Sequence, residues 1–331
     1  MGIADIARAI ENTINSVGGK QAAKAGWTPE LESYFGYGDA DRIRVLARVL
    51  MRNPRPIKVA AERGFRQFFT LQVPDHPVTI RAGRQVVRAR TSTNGYIDVP
   101  IRDHGLAPGW QQVHIDVEGG QSVACDVLVL KPGVKYGLVS DIDDTVMVTM
   151  LPRALIAAYN SWFLRTNARK PVDGMASFYE ALREKFGPDL PVFYLSTGAW
   201  NTFPALVKFF ADHGFPRGPL LLTDWGPTPT GLFRSGQEHK KVQLRNLIID
   251  FPDIHWILVG DDGQHDPLTY GNLVAEHPDR ITLVAIRQLT PGEHVLAHGS
   301  ATPIESSTAS SPVPWIQGAN GRELIQQLGE S

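Results

Sequence analysis

The feature that most constrains this chain is a change of hydrophobic rhythm at "KPGVKYG", residues 131–137. Upstream, from about Arg42 to Leu130, the sequence is a series of short runs in which apolar and polar residues mostly alternate. These are "RIRVLARVL", "RQFFTLQV", "PVTIRAG", "QVVRART", "GYIDVPI", "QQVHIDVE" and "VACDVLVL", punctuated by Gly, Pro, Asn and Asp. A period of two gives each strand one face for a core and one for solvent, so the segment predicts a small antiparallel β-sandwich. Asn94-Gly95 within "TSTNGYIDV" predicts a hairpin turn, because both residues tolerate positive φ. Downstream the runs become continuously apolar: "YGLVSD", "PVFYLS", "PLLLTDW", "HWILVGDD" and "ITLVAIR". Amphipathic stretches at about 174–186, 202–213, 239–250 and 267–277 separate them, with Pro188, Gly214 and Pro216 marking helix ends. Strands apolar on both faces need covering on both faces, and β/α alternation makes such a sheet mostly parallel.

Two rhythms of this kind belong to two cores, which the length of 331 residues can supply. The expected organisation is an N-terminal helical segment over 1–40, a β-sandwich domain over 41–130, and an α/β domain with a Rossmann-like parallel sheet over 131–290. A linker and a C-terminal docking helix follow over 291–331. The helical expectation rests on Ile3, Ile6, Ile10, Ile14 and Val17, which share one face at helical spacing. That face packs on the protein, or alternatively on a lipid surface. The linker expectation rests on "SATPIESSTASSPVP", followed by "WIQGANGRELIQQLGES" as the docking helix.

Cysteine usage excludes a disulfide framework: Cys125 stands alone and is expected to be a buried strand residue. No stretch is long and apolar enough for a membrane-spanning helix. The first twenty residues do not read as a signal peptide, since Asp5, Arg8 and Glu11 interrupt them, and Ile6 breaks the myristoylation pattern. A cytoplasmic location is expected. The formal net charge of −1 conceals an uneven distribution. Residues 41–90 carry twelve Arg or Lys against Asp41, Glu62 and Asp75, a net +9. Either these are solvated strand faces, as the spacing of Arg42/Arg44 and Arg88/Arg90 suggests, or they form a basic surface for an anionic membrane or polyphosphate. No nucleic-acid partner is expected.

Polar residues collect where the apolar runs of the second domain end. "YGLVS" leads into Asp141-Ile142-Asp143-Asp144-Thr145, "VFYLS" ends in Ser196-Thr197-Gly198, and "HWILVG" leads into Asp261-Asp262 and on to Asp266. Lys240 and Lys241 open a helix. Singly, each has a plain structural reading: a cap, a turn or a solvated helix residue. Together they sit where open parallel sheets bind ligands, beyond the carboxyl ends of the strands. If the two acidic strands are neighbours, Asp141, Asp143, Asp261 and Asp266 converge, and such a cluster calls for a divalent cation. Hard oxygen ligands favour Mg²⁺.

The order of Asp-x-Asp-x-Thr, then Ser, then Lys, then Gly-Asp-x-x-x-x-Asp resembles the haloacid dehalogenase superfamily. "SDIDDT", "FYLSTGAWNTFPALVKFF" and "HKKVQLRNLIIDFPDIHWILVGDDGQHDP" resemble, more narrowly, the phosphatidate phosphatase catalytic domain of the actin-patch-protein type, over about Lys131–Gln288. The resemblance implies a Mg²⁺-dependent phosphatase with Asp141 as nucleophile and Asp143 as general acid and base. It further implies Mg²⁺ held by Asp141, Asp143 (through its carbonyl), Asp261 and Asp266, and phosphate contacts from Ser196, Thr197 and Lys240. Thr-Gly-Ala-Trp follows Ser196 where Asn-Ser-Pro-Trp or similar is the family expectation, and Lys241 competes with Lys240 for the lysine's role. Asp144 and Asp262 are expected to be outer-shell or solvated. The implied substrate is phosphatidate or a related lipid phosphate at a membrane surface, with a soluble phosphate ester as the alternative. Within "MLPRALIAAYNSWFLRT" and just beyond it, Arg153, Arg165 and Arg169 are candidates for a head group.

Overall fold

The computed structural model describes residues 26–52, 71–148, 170–223, 236–263, 265–298 and 311–330. They divide into two compact units at Gly133/Val134. The expected helix over residues 3–17 and the candidate head-group residues Arg153, Arg165 and Arg169 lie outside the described residues.

The first unit is a nine-stranded sheet. Its strands are β1 (Thr28–Ser33), β2 (Gly36–Gly38), β3 (Arg42–Arg52), β4 (Leu71–Gln72), β5 (Pro77–Ala82), β6 (Gln85–Arg90), β7 (Tyr96–Arg102), β8 (Gly109–Val117) and β9 (Ser122–Val129). The principal order is β1-β3-β2-β9-β8-β5-β6, with β4 and β7 also pairing β3. All pairs are antiparallel except β2 with β9. The period-two rhythm does what it predicts: Ile43, Val45, Ala47 and Val49 of β3 meet Ile80, Val113, Ile115, Cys125 and Val127 in one buried cluster. Cys125 is a core residue there, and burial pushes its thiol up to about 12.

Two sequence expectations need correction in this unit, and the two readings of the basic stretch can be weighed. The sheet begins at Thr28, inside the segment expected to be helical, because Leu31 faces the core while β1 pairs with β3 along its whole length. Asn94-Gly95 makes a turn, but β6 pairs with β5 and β7 with β3, so no β6–β7 hairpin forms. The reason lies in Gly95. Its carbonyl receives the Val49 N–H, and a Cβ there would lie 2.6 Å from the Val49 oxygen, so the turn is shaped to approach β3. Four of the eight described arginines of the basic stretch are paired with carboxylates. Arg44 pairs with Asp98, Arg52 with Glu30 and Glu32, Arg81 with Asp116 and Arg90 with Asp75. Arg48 lies over the Tyr96 ring and donates to the Asn94 carbonyl. Of the two readings of this stretch, the paired strand surface is the one these contacts favour.

The second unit is built on a six-stranded parallel sheet, β12-β11-β10-β13-β14-β15. Here β10 is Tyr136–Ser140, β11 Val192–Ala199, β12 Leu220–Thr223, β13 His255–Asp261, β14 Ile281–Arg287 and β15 Trp315–Gly318. The helices are α1 (Met175–Phe186), α2 (Phe203–Asp212), α3 (Gly236–Asp250), α4 (Asp266–Glu276), α5 (Pro291–His298) and α6 (Gly321–Glu330). In order of appearance the strands run 3-2-1-4-5-6 across the sheet, so the order reverses between β10 and β13. Their continuous apolar runs are buried throughout, as in Trp256–Gly260 of β13. The tail departs from the linker expectation: Pro291–His298 is helical, and "WIQG", expected within the docking helix, is instead the edge strand β15. Ile316 supplies its buried face. Among the described residues, no helix is long and apolar enough to cross a membrane.

Close packing sets a test of this core. A Cβ on Gly137 would lie 2.5 Å from Cζ3 of buried Trp256, its neighbour in the β10–β13 ladder, whereas one on Gly271 of α4 meets nothing within 4 Å. Gly137→Ala is expected to destabilise by about 1–3 kcal/mol through overpacking. Gly271→Ala should hold stability or raise it by up to ~1 kcal/mol, since Ala is the better helix former. Thermal melts of the two variants check this; equal melting temperatures would contradict the packing described.

Candidate active site

The strand order reverses between β10 and β13, the place where open parallel sheets bind ligands, and both strands deliver an aspartate at their carboxyl ends. Asp141 directly follows β10, with its N–H donated to the Val259 carbonyl of β13 at 2.9 Å. Asp261 is the last residue of β13, and its Oδ1 accepts the Gly263 N–H at 2.8 Å. Asp266 opens α4, where the positive end of the helix dipole favours a carboxylate. One carboxylate oxygen from each of Asp141, Asp261 and Asp266 lies within 4.8 Å of the others, and all three residues are buried. Gly260 is required for this approach: a Cβ there would come 2.6 Å from Asp266 Oδ2.

Lys240 of α3 enters the cluster, 4% exposed, with Nζ 2.7 Å from Asp141 Oδ1 and 2.5 Å from Asp266 Oδ1. Lys241 points elsewhere and pairs with Glu238, so Lys240 is the one of the two that reaches the cluster. Thr145, the Thr of the Asp-x-Asp-x-Thr run, to which the sequence assigned no role, places its Oγ1 3.3 Å from Asp141 Oδ2 and 3.4 Å from Asp261 Oδ2. Its signal was its position four residues after Asp141, on the same short loop.

Asp143 stands apart from the buried trio. It is half-buried, and Oδ2 accepts a hydrogen bond from Ser196 Oγ of β11 at 3.0 Å. Ser196 Oγ in turn accepts the Gly198 N–H at 2.9 Å. So Ser196 joins Asp143 to the turn after β11, and half-buried Thr197 lies between its anchors. The Gly198 N–H is thus taken up by Ser196 in this arrangement.

The outer carboxylates are not solvated, contrary to that part of the expectation. Asp144 is buried and adopts φ 58°, a left-handed conformation that costs about 1–3 kcal/mol in a non-glycine residue. Its N–H donates to Met147 and its carbonyl accepts from Arg287 Nη1 at 2.7 Å. Asp262 Oδ1 accepts the Leu289 N–H at 2.8 Å and lies 3.3 Å from His294 Nε2. Behind the site, Tyr179 of α1 shares a short hydrogen bond with Ser140, whose hydroxyl reaches the Asp141 carbonyl at 2.6 Å.

Charge dominates the site's chemistry. Burial, together with Asp266 and Asp143, pushes the Asp141 carboxyl up to about 8 despite Lys240. Burial, with Asp266, Asp141 and Asp144, holds Asp261 well above the usual carboxylate range. Burial alone would lower the Lys240 ammonium, but Asp141, Asp266 and Asp261 outweigh it and keep the lysine charged. One ammonium does not balance three buried carboxylates. Asp266 Oδ2 is buried without a hydrogen-bond partner, and the donor set is all hard oxygen. Both observations fit a small divalent cation such as Mg²⁺.

Fold and site together define an α/β domain with a buried acidic centre at the order reversal of a parallel sheet. Residues 136–288 match the family described as phosphatidate phosphatase APP1, catalytic domain, so the resemblance read from the sequence holds for this segment. A 152-residue stretch is 30% identical to phosphatidate phosphatase APP1 of Saccharomyces cerevisiae, covering 46% of this chain and 25% of that protein. A 153-residue stretch is 24% identical to an uncharacterized protein of Schizosaccharomyces pombe, again covering 46% and 25%. The chain thus spans about a quarter of the length of each curated relative. Among solved structures, an uncharacterized protein from Listeria monocytogenes aligns over 59% of this chain and 97% of its own, at 10% identity and a TM-score of 0.36, too slight a likeness to bear on fold or function.

The carboxylate cluster predicts a stability profile. A carboxyl raised from about 3.9 in the unfolded chain to about 8 in the fold contributes stability that is present below the unfolded value and lost as pH rises through the folded one. Metal-free protein should therefore lose stability between about pH 4 and pH 8 on account of Asp141, with Asp261 acting in the same sense. Added Mg²⁺ should raise the melting temperature more at pH 8 than at pH 5. A melting temperature that climbs from pH 5 to pH 8 in EDTA, with no Mg²⁺ response at either pH, would contradict the assignment.

Proposed function

We propose that the second unit is a Mg²⁺-dependent phosphomonoesterase of haloacid dehalogenase type, acting through an aspartyl-phosphate on phosphatidate or a related lipid phosphate. The observation that carries the reading is the convergence of Asp141, Asp261, Asp266 and Lys240 at the reversal of the sheet, inside the segment that matches the phosphatase family. The strand order supports a Rossmann-like sheet for this unit, and the single apolar cluster shared by β3, β5, β8 and β9 supports a sandwich-like first unit. The protein would work as a cytoplasmic enzyme visiting an anionic membrane surface.

In this mechanism an Asp141 carboxylate oxygen attacks phosphorus, the ester P–O bond breaks, and Asp143 gives its proton to the departing alkoxide. The products of that half-reaction are the free alcohol and Asp141 acyl phosphate. Asp143, now ionised, takes a proton from water, whose oxygen displaces Asp141 and releases inorganic phosphate. The two carboxyls have environments suited to opposite roles: Asp141 is buried against Lys240, while Asp143 is half-exposed and oriented by Ser196. Lys240 neutralises charge on Asp141 and on the transferring phosphoryl group. Ser196 holds Asp143 in place and lies within reach of a phosphoryl oxygen when substrate enters. When bound, the cation would be held by Asp141, Asp261, Asp266 and the Asp143 carbonyl, and it would supply positive charge that lets a carboxylate approach a phosphate.

Asp141→Asn should abolish Mg²⁺-dependent phosphate release from every accepted substrate, a loss of at least about 10³-fold, and Asp143→Asn should lower it about 10²–10⁴-fold. Assays pair phosphatidate vesicles with soluble sugar and nucleotide phosphates. Retained activity in Asp141→Asn would refute the mechanism; turnover of soluble esters alone would refute the lipid substrate.

A further inference from the structure

The Arg287 guanidinium is 5% exposed and donates to three acceptors from three places in the chain. Nη1 reaches the Asp144 carbonyl at 2.7 Å, Nη2 the Glu293 carboxylate at 2.6 Å and Nε the Ala319 carbonyl at 3.2 Å. Its backbone is equally committed. Arg287 sits opposite Asp261 in the β13–β14 ladder, and its carbonyl accepts the Asp262 N–H at 3.0 Å. One residue therefore touches both acidic loops, the Asp141–Thr145 loop by its side chain and the Asp261–Asp266 loop by its main chain. A planar guanidinium suits this task, because its fork fixes three directions at once.

We infer that Arg287 is a positioning residue that holds the Asp143–Asp144–Thr145 turn in register with Asp261, and that Glu293 and Ala319 hold Arg287 in turn. Asp144 keeps its left-handed backbone with its carbonyl pinned by this arginine, and on either side of it stand Asp143 and Thr145, the two groups that face Ser196 and the buried trio. Glu293 and Ala319 both lie beyond residue 288, where the family match ends. Elements that the matched segment lacks, α5 and the link from β15 to α6, thus complete the support of its acidic centre. Glu293 is itself fixed at the start of α5 by the Thr290 N–H and hydroxyl, at 2.8 and 2.9 Å. The inference rests on the proposed function for its activity readout alone.

The test compares Arg287→Lys, Arg287→Met and Glu293→Gln with the wild type, by kcat and KM for phosphatidate and by Mn²⁺ affinity from electron paramagnetic resonance, which needs no turnover. Outer-shell partners of a metal centre change affinity or activity by about 10–100-fold. Arg287→Met should weaken Mn²⁺ binding and lower kcat within that range, with KM changed less than about twofold. Arg287→Lys, which serves one acceptor instead of three, should recover part of the loss, and Glu293→Gln should fall between Arg287→Lys and wild type. If Arg287→Met does not fold, the other two variants decide. Folded variants with wild-type Mn²⁺ affinity and kcat would overturn the inference, as would losses confined to melting temperature. A wild type that binds Mn²⁺ but releases no phosphate would fail the proposed function and leave the Mn²⁺ comparison to judge this one.

Discussion

The interaction on which the second unit depends is the contact of one buried ammonium with two buried carboxylates: Lys240 with Asp141 and Asp266. Each charge removed from water loses several kcal/mol of solvation, recovered only where geometry and further hydrogen bonds are good. The neighbourhood is arranged accordingly. Gly260 yields its Cβ volume to Asp266, Gly263 and Thr145 direct hydrogen-bonding groups at Asp261, and the Asp141 N–H is tied to β13. The cluster sits at the reversal of strand order between β10 and β13, the place where open parallel sheets bind ligands.

The first unit handles charge in the opposite way. Its arginines stay near the surface and meet carboxylates brought to them by strand pairing, such as Asp98 of β7 beside Arg44 of β3 and Asp116 of β8 beside Arg81 of β5. Exposed pairs of this kind contribute about 0–1 kcal/mol each, so they add little to stability. Their effect is on the outer field: at Arg44, Arg52, Arg81 and Arg90, charge that stands out in the sequence meets acids brought beside it by the fold. Arg55, Lys58, Arg63 and Arg66 lie outside the described residues.

What was legible in the sequence follows from which signals are local. Period-two strands and continuous apolar strands each carry their pattern within a few residues, so the change of architecture near 131–137 is visible, as are five of the six parallel strands. Aspartates at strand ends were legible for the same reason. The edge strand β15 was missed because four residues, "WIQG", carry no period, and β1 because its pairing with β3 outweighs a weak local pattern. Asn94-Gly95 misled because the turn chemistry was read correctly while the partner strand, set by distant packing, was not. Arg287 and the burial of Asp144 were invisible for a related reason: one hydrogen bond joins residues 143 positions apart.

The site also separates what the chain does alone from what it leaves to a bound ion. With Lys240 as the one cation among the described side chains of the cluster, burial and the neighbouring Asp266 and Asp143 push the Asp141 carboxyl up, which disfavours its ionised form. The proposed chemistry needs the ionised form, and a second source of positive charge beside Asp261 and Asp266 would supply it. In the same proposal Asp143 is the proton donor, and it lies outside the trio with its carboxylate turned to Ser196. In the proposed chemistry reactivity would thus be conditional on the cation, which would favour the ionised form of Asp141. Two aspartates two residues apart can take different roles because the loop between them turns one inward to Lys240 and the other toward β11.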